Sequence, residues 1–594
     1  MPKYSMEKII EGTLSFLPIR ERLIASPKDK DTIEKYIREM ATLVDLSAVN
    51  KFGTFLEYTL LKLYDGLDVV SHTKTPIYDL VSQNRVVFVS NHQSHSDYLL
   101  LNYVLFKHFN VCALIAGGLN LNIFPIGTLF RKTGCFFIRR SFWNNELYRI
   151  TLEGYIYYLL KDRVGPIEFF FEGGRSRSGK LMPPKFGLFN LLTAANETIN
   201  DGVDLIFIPV AIVHEIVPEQ KSLTKELSGG KKEKESFTQL LKLYQVMQKK
   251  LGTVHIRFGE PLRLDPQISD LRARVQSLGF ATHRGIGKEM VLTPSSVLAL
   301  TLLDGPTTAL SWDEITQKAK SIIKYCMDFG VPLSPSLNDS WQQTLTRSLE
   351  LFIREGHIIQ IKKDKFNKSY YSVPEFARVE VFYFKNSILH HFLVPFFINS
   401  SLLQIYKGKI NDVKELKKYL PQLRSQLKFE FYLPTIKELL TEGMKIISTA
   451  INREVKDLEQ CFSISPQEYN LLSHRIGHIM GSFRFIYEAQ YLCATTLKSL
   501  ELPQFSLQEF LKYSQEMFEM EKGHGRIIKH SESYTVPLMK SNLAYFTHIG
   551  IIKDAGMSQY KIVDQEQVSS LIPQLIGILN DIILYDIQDY AIIR

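Results

Sequence analysis

"VFVSNHQSHSDYLLLNYVLF", residues 87–106, changes its period partway along. A run of β-branched and aromatic residues leads to Asn91-His92, and Asp97 follows His92 by five residues at the start of an apolar, helix-like segment. A strand, a turn and a helix in that order can put the imidazole at the mouth of the strand, with a carboxylate in reach of its other nitrogen. Such a carboxylate fixes the tautomer and stabilises the imidazolium when the ring takes a proton. Ser94-x-x-Asp97 is also a capping-box-like start, in which the carboxylate serves only the helix dipole. The segment alone leaves both readings open. Metal ligation by His92, His95 and Asp97 lacks a further ligand cluster nearby. Ser94 and Ser96 lie outside any G-x-S-x-G elbow, which weakens a nucleophilic reading.

The same alternation continues outward. Between about 80 and 290, short apolar runs read as strands: 85–91, 112–118, 135–140, 167–174, 205–213 and 254–262. Helix-like stretches such as "NNELYRITLEGYIYYLLKD" (144–162) lie between them. That pattern predicts an α/β domain, a mixed sheet flanked by helices, over 76–290. Residues 1–75 read as a helical region, as in "DTIEKYIREMATLVDL". From 291 to 594 the texture is mainly helical. "TPSSVLALTLLD" (293–304) opens that part with Thr293 as an N-cap and Pro294 at the first helical position. No repeat of fixed period is visible.

Composition narrows the classes. Of 594 residues, 45% are hydrophobic, which is enough for large cores and argues against extensive disorder. Lys plus Arg number 71 against 62 Asp plus Glu, a formal charge of +9 that favours anionic partners: an anionic membrane surface or phosphorylated substrates. Neither a long basic run nor a nucleic-acid module is present, so no nucleic-acid partner is expected. Five scattered cysteines without C-x-x-C spacing indicate neither a disulfide framework nor a zinc site. The start, "MPKYSMEKIIEGTLSFLPIRERL", does not read as a secretory signal. No stretch reaches the roughly 18 uninterrupted apolar residues of a spanning helix. The nearest, 98–106 and 388–405, fit core helices or surfaces that dip into a bilayer without crossing it.

"FFFEGGRSRSGKLMPPKFG" (169–187) imitates a nucleotide loop, because Gly174 to Lys180 fits G-x-x-x-x-G-K. A P-loop needs Ser or Thr after its lysine and then a helix facing the phosphates. Here Leu181 follows Lys180, and Pro183-Pro184 would disrupt a helix where one is required. What remains is one carboxylate, Glu172, and two guanidiniums, Arg175 and Arg177, beside glycines that permit a sharp turn. Guanidinium suits phosphate because its donors match the oxygens bidentately, although a solvated basic turn would look the same. "GCFFIRRSF" (134–142) is a bulky strand ending in Arg139-Arg140, of which only one can readily face a given pocket. "LIFIPVAI" (205–212) alone is an apolar core strand with Pro209 near its middle.

Taken in order, His-x-x-x-x-Asp, Gly-x-x-Phe-Ile-x-Arg, Phe-x-Glu-Gly-x-Arg-Ser and a proline-bearing apolar strand resemble the glycerolipid acyltransferase family over roughly 85–215. Segments 116–142 and 169–188 resemble the bacterial membrane-bound glycerol-3-phosphate acyltransferases, and the helical part around 381–397 is similar to them less specifically. Part of the long N-terminal extension found in some of those enzymes is expected to be absent.

The resemblance implies that His92 is the general base and Asp97 its orienter. It implies that Gly134, Phe137, Ile138, Arg139 and Arg140, with Glu172, Gly173, Arg175, Ser176 and Arg177, and Pro209 of the fourth block, form the substrate site. The implied reaction moves a fatty acyl group from acyl-CoA or acyl carrier protein to the 1-hydroxyl of glycerol 3-phosphate. That yields lysophosphatidic acid, the first step of phospholipid synthesis, with neither metal nor cofactor required. The implied location is the cytoplasmic face of the bacterial inner membrane, with peripheral or monotopic attachment. Related dihydroxyacetone-phosphate acyltransferases share much of the pattern, though "YAIIR" at the end lacks the S-K-L-like address many of them carry. A non-catalytic membrane-binding protein would show the apolar patches without needing His92, Asp97 and the arginine blocks together.

Overall fold

In the computed structural model, which describes residues 5–123, 126–139, 144–227, 250–305, 309–338, 340–363, 368–500 and 503–586, β2 (Arg85–Ser90) is the middle strand of a seven-stranded sheet. The others are β1 (Gly66–Ser71), β3 (Leu114–Gly118), β4 (Cys135–Ile138), β5 (Ile167–Phe170), β6 (Leu205–His214) and β7 (Thr253–Phe258). Their order is β1-β7-β6-β2-β5-β3-β4. Every neighbouring pair is parallel except β6–β7, so the sheet is mixed. The described residues divide into two units. One lies within Met1–Ser176, Met182–Glu219 and Glu233–Met290, and the other within Arg177–Leu181, Gln220–Lys232 and Val291–Arg594.

In the first unit the central strands are buried along their whole length, as parallel strands covered on both faces must be. Alternation still sorts their side chains. Val86 and Phe88 of β2 share one apolar cluster with Ile206, Ile208, Val210 and Ile212 of β6. That cluster is closed by α4 (Leu46–Tyr58) and α6 (Asp97–Phe109), through Leu56, Leu100, Leu101, Val104 and Leu105. α6 is therefore a core helix, while the shorter α5 (Ile77–Gln83) packs on β2 and α7 (Ile126–Lys132) on α4 and β4.

On α8 (Glu146–Lys161) pack α1 (Met6–Leu14), α2 (Leu17–Ala25) and α3 (Lys30–Met40). Residues 1–75 do not remain helical throughout, because Gly66–Ser71 forms β1. Its partner, β7, lies far downstream, so no local period announces the strand.

Pro209 sits inside β6 at a point where the ladder does not need its missing N–H. On the β7 side, pairing lapses between the Val210–Phe258 pair and the Phe207–Leu262 bridge, and Pro209 O accepts the Gly259 N–H at 2.9 Å.

The second unit is mainly helical. Pro294–Asp304 is buried at every position, which suits a helix apolar on all sides, and Thr293 Oγ1 caps it by accepting the Ser296 N–H at 3.2 Å. Two small three-stranded antiparallel sheets accompany the helices, one centred on Lys368–Ser372 and one on Gln559–Ile562, and helical periodicity gave no hint of either. The run Glu375–Tyr406 is the one stretch among the described residues long and apolar enough to cross a membrane, judged by length and composition. Its most apolar part is 67% buried, chiefly in the hydrophobic core of this unit.

Candidate active site

Asp97 is the first residue of α6, and its carboxylate is fully buried. It does not act as a helix cap. Oδ2 accepts the backbone N–H of Gln93 at 2.6 Å and of Ser94 at 2.8 Å, and so shapes the loop that follows β2. His92 Nδ1 lies 2.9 Å from the same oxygen. Burial by itself raises the Asp97 carboxyl, but hydrogen bonds from His214 and His92 more than reverse that and hold it well below the usual carboxylate range. An ionised carboxylate only accepts, so His92 donates through Nδ1–H and keeps Nε2 as an acceptor. The ring also stacks on Phe170, with centroids 4.1 Å apart. Its side chain is 13% exposed and opens into a cavity.

That cavity measures about 550 Å³ and joins His92 and Arg175 to an apolar wall that includes Val49, Phe52, Leu56, Leu99 and Phe130. Its size falls in the range of about 300–1,000 Å³ usual for small-molecule sites. Among the described residues no group of three or more His, Cys, Asp and Glu side chains is arranged to hold a metal ion.

Ile138, Arg139, Gly173 and Arg175 also line the cavity. Arg139 is already engaged: its guanidinium forks onto Glu39 at 2.7 and 2.8 Å and lies over the rings of Tyr36 and Tyr148. That ion pair holds its pKa above the usual arginine range. Arg175 is 10% exposed, with Nη1 a loose 3.9 Å from Glu219 Oε1. Gly173 has φ +69°, a conformation that favours glycine where the backbone borders the cavity. Arg140 lies outside the described residues.

Other expected site residues do not line this cavity. Gly134 has φ +108°, and a Cβ there would stand 2.5 Å from Ala113 O, so only glycine lets β4 start beside β3. Phe137 is buried in the core beneath the Arg131 guanidinium. The Glu172 carboxylate accepts the His92 and Met182 backbone N–H groups. Ser176 is buried, and its N–H donates to His92 O at 2.8 Å. Pro209 belongs to the β6 core. Arg177 falls in the second unit, where Nε donates to Glu226 at 2.5 Å. Lys180 does likewise, pairing with Glu430 above the rings of Phe431 and Phe485.

Three further participants escaped the sequence reading. His214 Nε2 lies 2.7 Å from Asp97 Oδ1, and its Nδ1 lies 3.1 Å from the Tyr64 hydroxyl. Glu219 accepts from Ser94 Oγ at 2.8 Å and from the His95 N–H at 3.0 Å, which ties the loop to Arg175. The available signal was parity: His214 continues the even-numbered face of β6, which packs toward α6.

Two family models match the chain: "Acyltransferase" over residues 68–213 and "Glycerol-3-phosphate acyltransferase C-terminal region" over 224–555. Curated relatives called glycerol-3-phosphate acyltransferase include one from Pseudomonas putida KT2440, 29% identical over 488 residues, covering 77% of this chain and 57% of its own length. One from Pseudomonas syringae pv. tomato DC3000 is 29% identical over 444 residues, covering 71% of this chain and 52% of its own. Another, from Pseudomonas fluorescens Pf-5, is 28% identical over 490 residues, covering 78% and 57%. The chain thus spans little more than half the length of these relatives.

Proposed function

The chain belongs to the glycerol-3-phosphate acyltransferase family, and we propose that it transfers a fatty acyl group from a thioester to the 1-hydroxyl of glycerol 3-phosphate, releasing lysophosphatidic acid. The observation that carries this reading is the His92–Asp97 pair opening into a cavity that has both a guanidinium and a long apolar wall. His92 Nε2 takes the hydroxyl proton as the oxygen attacks the thioester carbonyl carbon. The C–S bond breaks as the tetrahedral adduct collapses, and the imidazolium returns the proton to the departing thiolate. Asp97 holds the ring's other nitrogen and stabilises the imidazolium between those steps. The thioester is already activated, so the scheme uses neither metal nor redox cofactor.

In this reading Arg175 faces the acceptor's phosphate, assisted by Arg140. Arg139 serves the wall of the site, since its fork is spent on Glu39. Val49, Phe52, Leu56 and Leu99 suit the acyl chain. Acyl-CoA or acyl carrier protein is the donor. Both the acylated donor and the product are amphiphiles, so the enzyme works at the cytoplasmic surface of the inner membrane. The net charge of +9 supports attraction to anionic lipid.

The experiment is a radiolabelled acceptor assay on purified protein with lipid vesicles, pairing glycerol 3-phosphate or dihydroxyacetone phosphate with acyl-CoA or acyl carrier protein. Label in lysophosphatidic acid supports the reading. Label only from dihydroxyacetone phosphate reassigns the acceptor, and no transfer in any combination removes the activity.

A further inference from the structure

His214 ends β6, a strand whose preceding residues on the same face are Ile206, Ile208, Val210 and Ile212. A histidine in such a place loses its hydration, which only paired ring nitrogens offset. Both are paired. Nε2 stands 2.7 Å from Asp97 Oδ1, and Nδ1 stands 3.1 Å from the Tyr64 hydroxyl. Because the carboxylate accepts, Nε2–H donates to Asp97, and Nδ1 shares the second hydrogen bond with the Tyr64 hydroxyl. Tyr64 Oη lies in turn 3.2 Å from Ser96 Oγ, and Ser96, Ser94 and Glu219 continue the chain at 2.9 and 2.8 Å. Asp97 thus bridges two imidazoles, one per oxygen: His92 at the cavity and His214 with no exposure at all.

We propose that His214 is a positioning residue of the acyl-transfer site, which acts through Asp97 and with Tyr64 to fix the orientation and the proton of the His92 imidazole. This rests on the reading of His92 as the base. Among the described residues the His214 contact is the one hydrogen bond that Oδ1 receives, while Oδ2 is shared by His92 and two backbone N–H groups. Without His214 the carboxylate is released on one side. It can rotate away from the geometry His92 needs, and it pulls harder on the one imidazole proton it retains. An aliphatic residue would fill the space and supply neither effect.

The titratable groups around the pair are Tyr64, Tyr98 on α6, Glu168 on β5, Glu172, and Arg175 with Glu219. Glu168 is bonded to Asn102, and Glu172 to backbone N–H groups. Neither donates to Asp97, so neither replaces His214.

The test uses the full chain. His214→Phe keeps a flat ring without donors, while His214→Gln offers an amide N–H near the site of Nε2–H. H214F is expected to lower kcat by about tenfold or more, with the KM for glycerol 3-phosphate within about twofold of wild type. The acid-side limb of its kcat/KM profile should move to higher pH, and H214Q should recover most of both. The downfield proton signal of His92 Nδ1–H, identified by its loss in H92Q, reads the same coupling without substrate. It therefore separates failure of this inference from failure of the acyltransferase reading. That signal should shift in H214F and in Tyr64→Phe and return toward wild type in H214Q. A folded H214F with an unmoved limb and an unmoved signal overturns the proposal. If H214F does not fold, Y64F and H214Q decide, and an unmoved signal in Y64F overturns it.

Discussion

The Glu172 carboxylate accepts the backbone N–H of His92 at 3.3 Å with one oxygen and that of Met182 at 3.1 Å with the other. The loop after β5 therefore grips the loop after β2 through main-chain groups, and Glu172 is occupied before any ligand arrives. Burial pushes this carboxyl from its ordinary value of 4.5 up to about 8, against the pull of those two N–H groups.

That shift sets a pH dependence. A group whose folded pKa is raised favours the fold fully below its unfolded value and progressively less as pH rises toward the folded one. Wild type should lose this contribution between pH 4.5 and about 8. Glu172→Gln cannot titrate, and its amide N–H faces a backbone N–H. E172Q is expected to be the less stable protein at low pH, with the gap narrowing through that window. Denaturant melts of both proteins across the range check it, and a gap that widens with pH contradicts the assignment.

Loss of the proposed base is a separate matter from loss of the fold. His92→Ala removes a side chain that opens into the cavity but also one donor to the buried Asp97, so the protein should stay folded with a modest loss of stability while turnover falls by roughly 10²–10⁴-fold. Asp97→Asn should cost both activity and stability, because a neutral amide replaces a buried carboxylate that accepts four donors. Parallel rate and unfolding measurements separate the two. A well-folded H92A that keeps more than about a tenth of wild-type activity rules out general-base catalysis by this ring.

The two cavity arginines should respond differently to lysine. Arg175→Lys keeps the charge and loses the fork, and should raise the KM for glycerol 3-phosphate by about ten- to a hundredfold with the donor KM little changed. Arg139→Lys breaks a bidentate pair with Glu39 and two ring contacts. Its signature should be a melting temperature lowered by about 2–4 °C, with the acceptor KM unmoved. Steady-state kinetics with each substrate varied in turn distinguish them. A rise in donor KM alone for R175K would assign Arg175 to the phosphates of coenzyme A.

Lys180 tests the rejected nucleotide loop. Its side chain and that of its partner Glu430 are each 8% exposed, and the ammonium lies over two phenylalanine rings. Removing one partner of a buried pair costs about 3–5 kcal/mol, so Lys180→Ala should destabilise the protein by that order in denaturant melts. Acyl transfer by the protein that remains folded should fall only modestly. Magnesium-dependent ATP hydrolysis that disappears in K180A would reinstate the phosphate-loop reading.

The sequence was most informative where a structure is built from neighbours. Strands and helices between 80 and 290 follow from hydrophobic period, and the Thr293–Pro294 helix start from local capping chemistry. His92 and Asp97 are five residues apart across a single turn, so their meeting depends on little beyond that turn.

The long-range partners could not be read that way. His214 reaches Asp97 because β6 lies beside β2 in a register that pairs Val89 with Pro209 and leaves His214 on the α6 face. Arg139 and Arg175 looked alike as strand-end guanidiniums, yet Glu39, a hundred residues away, engages the fork of one, while Glu219 stands only loosely against the other. Arg177 and Lys180 belong by sequence to the motif of Arg175, but their partners Glu226 and Glu430 lie with them in the second unit. A side chain's type and spacing determine which bonds it can form. Which of them it does form depends on the charge or donor that the folded chain brings within about 3 Å, and only the tertiary structure supplies that neighbour.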